Sequence, residues 1–376
     1  MKFIHLSDLH IGKKVNGFSM LEDQKYILKK IINVIDVEKP NGVIIAGDVY
    51  DKSIPSAEGV ELFDDFLYRL SKRNLEVYVI SGNHDSPERL AFGSRVMNQS
   101  GVYMSPVYNG EIEPIVTKDD FGELNIYMLP FIKPAHVRKY FIDENIENYT
   151  DAMAVVIENM KLDQSKRNLL ITHQFVTGAI RSESEDASVG GLDNVEYQVF
   201  LPFDYVALGH IHRPQKMKKK TIRYCGTPLK YSFSEVEHVK SVTVVDVREK
   251  ENVIVKTVPL EAKRDMREIK GKYEELTLRE NYIDTNVNDY MHITLTDEDD
   301  IMDAVGKLRT IYPNLMKIDY DNMRTRSNQM VKVIDKIEEK APLDLLKEFY
   351  EKQNNQSMNE EQIDFSKELM ERIWGI

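Results

Sequence analysis

Five short apolar runs in this chain are each followed at once by Asp, His or Asn, and that repeated placement constrains the fold more than any other feature. Residues 3–6 lead to Asp8 and His10, residues 43–46 lead through Gly47 to Asp48, and residues 77–80 lead to Asn83 and His84. Residues 169–171 lead to His173, and residues 205–208 lead through Gly209 to His210 and His212. Runs of this length read as buried strands, and the amphipathic segments between them mark βαβ units of a layered α/β fold. In such sheets ligands bind along the edge formed by the carboxyl ends of the strands. Each residue alone has an ordinary explanation: Asp8 could cap a turn, Asp48 could belong to a Gly-Asp turn, and Gly82 and Asn83 tolerate positive φ. Recurrence at five equivalent places, using five of the nine histidines, is not ordinary.

The donor types say what such an edge could hold. Two carboxylates (Asp8, Asp48), one amide oxygen (Asn83) and four imidazoles (His10, His173, His210, His212) form an oxygen and nitrogen set suited to Mn²⁺, Fe or Zn²⁺. Seven donors exceed the needs of one ion. Two ions roughly 3.5 to 4 Å apart, bridged by a carboxylate, would use them all, and such pairs hydrolyse phosphoesters.

With 376 residues, 42% of them hydrophobic, the chain can bury a substantial core and is expected to form more than one domain. One cysteine, Cys225, excludes an internal disulfide. No hydrophobic leader follows Met1 and no apolar run approaches the roughly 20 residues that cross a bilayer, so a soluble cytoplasmic protein is expected. The net charge of −12 weighs against a stand-alone nucleic-acid binder. Against that balance, RPQKMKKKTIR at 213–223 holds six basic residues and no acid, either as a solvated hairpin loop or as a local contact to a polyanion.

Helices are expected over 21–37 and 58–71. In the second, Leu62, Phe63, Phe66, Leu67 and Leu70 recur at helical spacing, as core or in part as a dimer interface. After Val247 charge density rises and the chemistry-bearing motifs stop. Residues 291–296, 301–308 and 315–320 read as strand, helix and strand of a second unit, and 342–352 and 359–374 as two short amphipathic helices. These shifts divide the chain into 1–260, a small α+β capping domain at 261–330 and a helical tail at 331–376.

The motifs DLH (8–10), GDVYD (47–51), GNHD (82–85), TH (172–173) and GHIH (209–212) resemble those of the calcineurin-like metallophosphoesterases. Within that family the chain is similar to the SbcD-type DNA nucleases of bacterial SbcCD complexes. Further matches are SVGGLDNV (188–195), FDYVALGHIHRPQ (203–215) and CGTPLKYSFSE (225–235), and the likeness is strong up to about residue 245. It implies a metallophosphoesterase sheet sandwich flanked by helices. It also implies that Asp8, His10, Asp48 and His212 bind one Mn²⁺, and that Asp48 bridges to a second completed by Asn83, His173 and His210. His84 would be the catalytic histidine facing the scissile phosphate, with Asp85 either orienting it or shaping the turn. His5 reads as structural or supporting, and His136, His238 and His292 as structural.

The resemblance further implies ATP-dependent double-strand exonuclease and single-strand or hairpin endonuclease activity in DNA end processing, recombination and repair. Because the chain has no G-x-x-x-x-G-K-[ST] loop, no nucleotide is expected on it, and the ATPase would be an SbcC-type partner in an assembly centred on a nuclease dimer. The tail stripes, Leu345, Leu346, Phe349 and Tyr350 with Ile363, Leu369, Met370, Ile373 and Trp374, would cover that partner or pack on this chain's own second domain. The alternative is a metallophosphoesterase acting on phosphoproteins or small phosphodiesters. Protein phosphatases of that superfamily usually carry Arg-Gly after the second Asp of GDxxD, whereas Lys52 and Ser53 follow Asp51 here. A scaffold that merely binds DNA ends or a partner is disfavoured by the complete donor set.

Overall fold

The computed structural model describes every residue except 186–192, 300, 324, 326–341, 355–356 and 375–376. Two six-stranded sheets lie face to face. The first is ordered Val253–Pro259, Ser241–Val247, Lys2–Leu6, Gly42–Ala46, Glu76–Ile80, Val102–Met104. The second is ordered Gln215–Met217, Lys219–Tyr224, Tyr205–Gly209, Arg167–His173, Gly122–Leu129, Ile115–Asp119. Each keeps four neighbouring strands parallel and places its antiparallel strands toward the margins.

Alternation along each strand builds three apolar layers. In Lys2–Leu6, Phe3 enters the space between the sheets with Ile44, Tyr78, Ile126, Ile171 and Tyr205, while Ile4 and Leu6 face outward. The outer face of the first sheet is covered by helix Leu21–Glu38, whose Ile27, Leu28, Ile31, Ile32 and Ile35 are buried at helical spacing. Helix Ala57–Ser71 packs beside it. Its Phe63, Phe66 and Leu70 are buried and Leu62 and Leu67 partly so, which makes the expected stripe core. Each such side chain stabilises the fold by about 1.5 to 3 kcal/mol. Ser56 starts this helix by accepting from the Gly59 N–H at 3.2 Å. Over the second sheet lies helix Tyr149–Asn159, capped by Asn148 Oδ1, which accepts from the Asp151 N–H at 3.0 Å.

The parallel registers align the carboxyl ends of the strands. Leu6 pairs with Ile45, Ala46 with Ile80, and Gly209 with His173, so both sheets deliver their motifs to one edge of the sandwich. The strand expected at 169–171 extends over Arg167–His173 and takes in His173 itself. The basic segment 213–223 forms the hairpin of Gln215–Met217 and Lys219–Tyr224, turning at Lys218 with φ of 57°.

Beyond Pro259 stands a small all-parallel sheet of Met266–Gly271, Tyr290–Leu295 and Leu315–Tyr320. Its first strand escapes sequence reading because Arg267, half-buried, and the exposed Glu268 and Lys270 interrupt the apolar signal. The helix expected at 301–308 is Ala304–Arg309, begun by Asp303, whose carboxylate accepts from the Gly306 N–H at 3.3 Å. Tail helices occur at Pro342–Asn354 and Glu360–Trp374. Gln362 donates to the Tyr350 hydroxyl at 3.0 Å, and Glu371 pairs with Arg138 of the sandwich. Phe349, Phe365 and Leu369 stay exposed, and the side chains of Ile373 and Trp374 lie outside the described set. No helix among the described residues is long and apolar enough to cross a membrane.

Candidate active site

Backbone hydrogen bonds splice the motif loops before any side chain is considered. The Asp8 N–H donates to the Gly47 carbonyl and the His10 N–H to the Asp48 carbonyl, both at 3.0 Å. The two sheets are joined where the His210 N–H donates to Asp8 Oδ1 at 2.9 Å and His173 Nδ1–H donates to the Ala46 carbonyl at 2.8 Å. Such close approach needs glycine: a Cβ at Gly209 would collide with the Ala46 carbonyl, and one at Gly82 with the Asp48 carboxylate. Left-handed φ values of 53° at Asp8, 44° at His10, 50° at Asp48 and 101° at His210 bend these loops inward. Backbone strain of this kind costs about 1 to 3 kcal/mol per residue and concentrates at functional sites.

All seven expected donors converge. His10 Nε2 stands 3.1 Å from His212 Nε2 and 3.6 Å from Asp48 Oδ2, and His173 Nε2 stands 3.4 Å from that same oxygen. Asn83 Oδ1 faces His173 Nε2 at 3.0 Å and His210 Nδ1 at 2.9 Å. Asp8, His10 and His173 are wholly buried and Asp48 nearly so. Burial pushes Asp8 up, while His173, His10 and His84 hold Asp48 well below the usual carboxylate range against its own burial. Burial opposes charge on His173 too, yet Asp48 and Asp8 raise it to about 9. His10 and His210 are driven well below 6.5 by burial.

Buried carboxylates and nitrogen lone pairs aimed at one another are costly unless a cation lies among them. The triplets Asp8, His10, His212 and Asp8, Asp48, His173 each bring ligand atoms within 4.8 Å of one another, so the residues fit divalent ions. His10 Nδ1 has no hydrogen-bond partner among the described residues.

His84 stands beside this set. Its backbone N–H donates to Asp48 Oδ1 at 3.0 Å, its Nδ1 lies 3.1 Å from the Asp51 carbonyl, and its ring is a fifth exposed. Of the two expectations for Asp85, the turn-shaping one matches the geometry. Its carboxylate accepts from the N–H groups of Val49 (3.1 Å), Tyr50 (2.9 Å) and Gly82 (2.9 Å), while the contact on the His84 ring comes from Asp51. Burial, with Asp48 nearby, pushes Asp85 up to about 6. His5 sits between the sheets with Nδ1 3.0 Å from the Tyr205 hydroxyl. His136 accepts from the Lys133 N–H, His238 lies near Glu235, and His292 bridges Glu268 and Asp319.

Several neighbours escape a search for polar motifs. Phe131, just past the carboxyl end of Gly122–Leu129, stacks on His210 with centroids 6.4 Å apart and planes at 16°. Tyr231 sets its ring 5.8 Å from that of His10 and donates its hydroxyl to the Leu9 carbonyl at 2.6 Å. Ser184, Glu185, Glu235 and Lys240 surround His212. Only Glu235 had a sequence signal, the YSFSE end of the stretch at 225–235, whose chemistry is invisible without its partners. Residues 188–192 of SVGGLDNV lie outside the described set.

Residues 1–214, more than half of the chain, match the model of the calcineurin-like phosphoesterases. The chain belongs to the calcineurin-like phosphoesterase family. It is accordingly a hydrolase of phosphoester bonds that uses divalent metal. Residues 262–354 match the Type 5 capsule protein repressor C-terminal domain. The SbcD component of nuclease SbcCD from Staphylococcus epidermidis is 34% identical over 99% of this chain and 99% of its own length. Its Staphylococcus saprophyticus namesake is 34% identical over 85% and 84%. Among solved structures, a dimetal phosphatase from Danio rerio aligns over 70% of this phosphoesterase and 98% of its own chain at 10% identity, with a TM-score of 0.41.

Proposed function

We propose that this chain is the DNA-cleaving component of an SbcCD-type complex, a Mn²⁺-dependent nuclease acting in DNA end processing, recombination and repair. The convergence of six buried oxygen and nitrogen donors and the half-buried Asn83 on one sheet edge carries the reading. The full-length similarity to relatives named as the SbcD component of nuclease SbcCD supports DNA as substrate. Asp8, His10, Asp48 and His212 would hold one ion, and Asp48, Asn83, His173 and His210 the other. The chemistry such ions supply is polarisation of the phosphoryl group and activation of water at neutral pH.

The protein's own groups do the rest. His84 donates Nδ1–H to the Asp51 carbonyl, which orients the ring; Nε2, when protonated, gives its proton to the departing sugar oxygen. Asp85 holds the loops bearing Asp48 and Asn83 in register through its three N–H contacts. Proposed divisions are a nuclease domain at 1–260, a capping domain at 261–330 and a partner-binding tail at 331–376. The exposed apolar residues of the tail helices support an SbcC-type ATPase as that partner, in a cytoplasmic assembly containing two copies of the nuclease. ATP would then govern double-strand exonuclease but not single-strand or hairpin endonuclease activity.

The decisive comparison is Mn²⁺-dependent cleavage of hairpin DNA beside that of a phosphopeptide. Hairpin cleavage by the isolated chain, with the peptide untouched, is the expected result; the reverse preference overturns the reading.

A further inference from the structure

His212 is gripped from three sides. Its backbone N–H donates to Glu185 Oε1 at 2.6 Å, and its carbonyl accepts from Lys240 Nζ at 2.9 Å. Its ring Nδ1 stands 2.7 Å from Ser184 Oγ and 3.4 Å from Glu235 Oε1. Glu235 and Lys240 are buried and form an ion pair, and Lys240 also donates to Thr227 Oγ1 at 2.6 Å. Ser184 is inserted between this pair and the imidazole, with its hydroxyl donating to Glu235.

The proton count follows. A serine hydroxyl has one proton, and here it lies toward the Glu235 carboxylate, which can only accept. The contact with His212 must then be made by an imidazole N–H donating from Nδ1 to the Ser184 oxygen. That tautomer leaves Nε2 without a proton, turned toward His10 Nε2 at 3.1 Å and open to a cation. We propose that Ser184 and Glu235 are positioning residues, a hydroxyl–carboxylate relay that fixes the tautomer and tilt of His212 for the ion held with Asp8 and His10.

The inference rests on the reading of His212 as a metal ligand. An ion pair that only stabilised the fold would have no need of Ser184, because Lys240 and Glu185 already secure the His212 backbone. The relay therefore separates from the scaffold in one substitution. Ser184→Ala removes the 2.7 Å contact on the ring, leaving there only the longer 3.4 Å approach of Glu235, and keeps the Glu235–Lys240 pair and both backbone contacts in place, whereas Ser184→Thr keeps a hydroxyl.

The test is calorimetric titration of the metal-free protein with Mn²⁺, together with its thermal midpoint. Wild type should bind two ions. Ser184→Ala should bind one of them about 10 to 100-fold more weakly, with the other unchanged and the metal-free midpoint unmoved, and Ser184→Thr should restore most of the loss. Equal binding of both ions by wild type and Ser184→Ala overturns the relay, as does a Ser184→Thr protein no better than Ser184→Ala. A wild-type protein that takes up no Mn²⁺ overturns the metal reading, and the relay with it.

Discussion

The sandwich edge and the small sheet at 266–320 use the same side chains to opposite ends. In both, parallel strands carry His, Asp and Glu. On the small sheet His292 has a carboxylate on each nitrogen, Glu268 at 2.6 Å and Asp319 at 2.8 Å, and both acids are half exposed. Lys317 shares Asp319 at 2.8 Å, and Lys270 pairs with Asp321. Every one of these charges is answered by another. At the sandwich edge carboxylates and imidazoles are buried and aimed at one another, four of them (Asp8, His10, Asp48 and His210) on backbone with positive φ. A histidine satisfied at the surface belongs to the scaffold; a cluster buried with its lone pairs converging is held for something that must arrive. The two regions meet at Asp23, a buried acid of helix Leu21–Glu38 that accepts from Arg264 and from the Tyr290 hydroxyl.

Substitution should widen this contrast. The largest effect is expected at Asp48, the oxygen nearest both groups of imidazoles. Asp48→Asn should weaken both ions and reduce DNA cleavage by at least about a thousandfold, several kcal/mol of barrier. Metal content measured beside single-turnover cleavage checks this, and a variant with two ions and a tenth of wild-type activity would show that Asp48 does not bridge. His84→Ala should keep both ions and near-normal DNA affinity yet lose at least about a hundredfold in cleavage, the usual worth of a general acid. Loss of metal from that variant would return His84 to a structural role.

Acid should weaken the sandwich through His5. Burial lowers its folded pKa to about 3, below the unfolded 6.5, so protonation favours the unfolded chain. The stability this group supports is intact above about pH 6.5 and falls as pH drops toward 3. Between pH 7 and 5.5 it should lose about 1 kcal/mol, read as a shift in the urea midpoint, and His5→Asn should flatten that part of the slope. Smallest of all is His292→Ala. Its partners are half exposed, so the loss should stay below about 1 kcal/mol with hydrolysis unchanged. A large fall in cleavage there would break the division between the two regions.

By itself the sequence determined which donors gather and at which edge. Runs of β-branched and aliphatic residues can only be buried strands, and a residue just past such a strand is confined to the sheet edge whatever the rest of the chain does. That local rule was enough to place Asp8, His10, Asp48, Asn83, His173, His210 and His212 together. It also bounded helices Leu21–Glu38, Ala57–Ser71 and the two of the tail to within a residue or two, because apolar spacing is a property of consecutive residues, whereas the helix expected from residue 301 starts only at Ala304. Only the tertiary structure decided which groups support those donors. Asp85 could orient His84 or shape a turn on sequence grounds, and the answer lies in the N–H groups of Val49, Tyr50 and Gly82, the first two more than thirty residues away. Ser184 and Glu235 lie 28 and 23 residues from His212, and nothing in SESE or YSFSE says that their oxygens meet one imidazole. Periodicity reports which face of an element is buried; hydrogen-bond partners across elements depend on how the sheets stack, which no local pattern encodes.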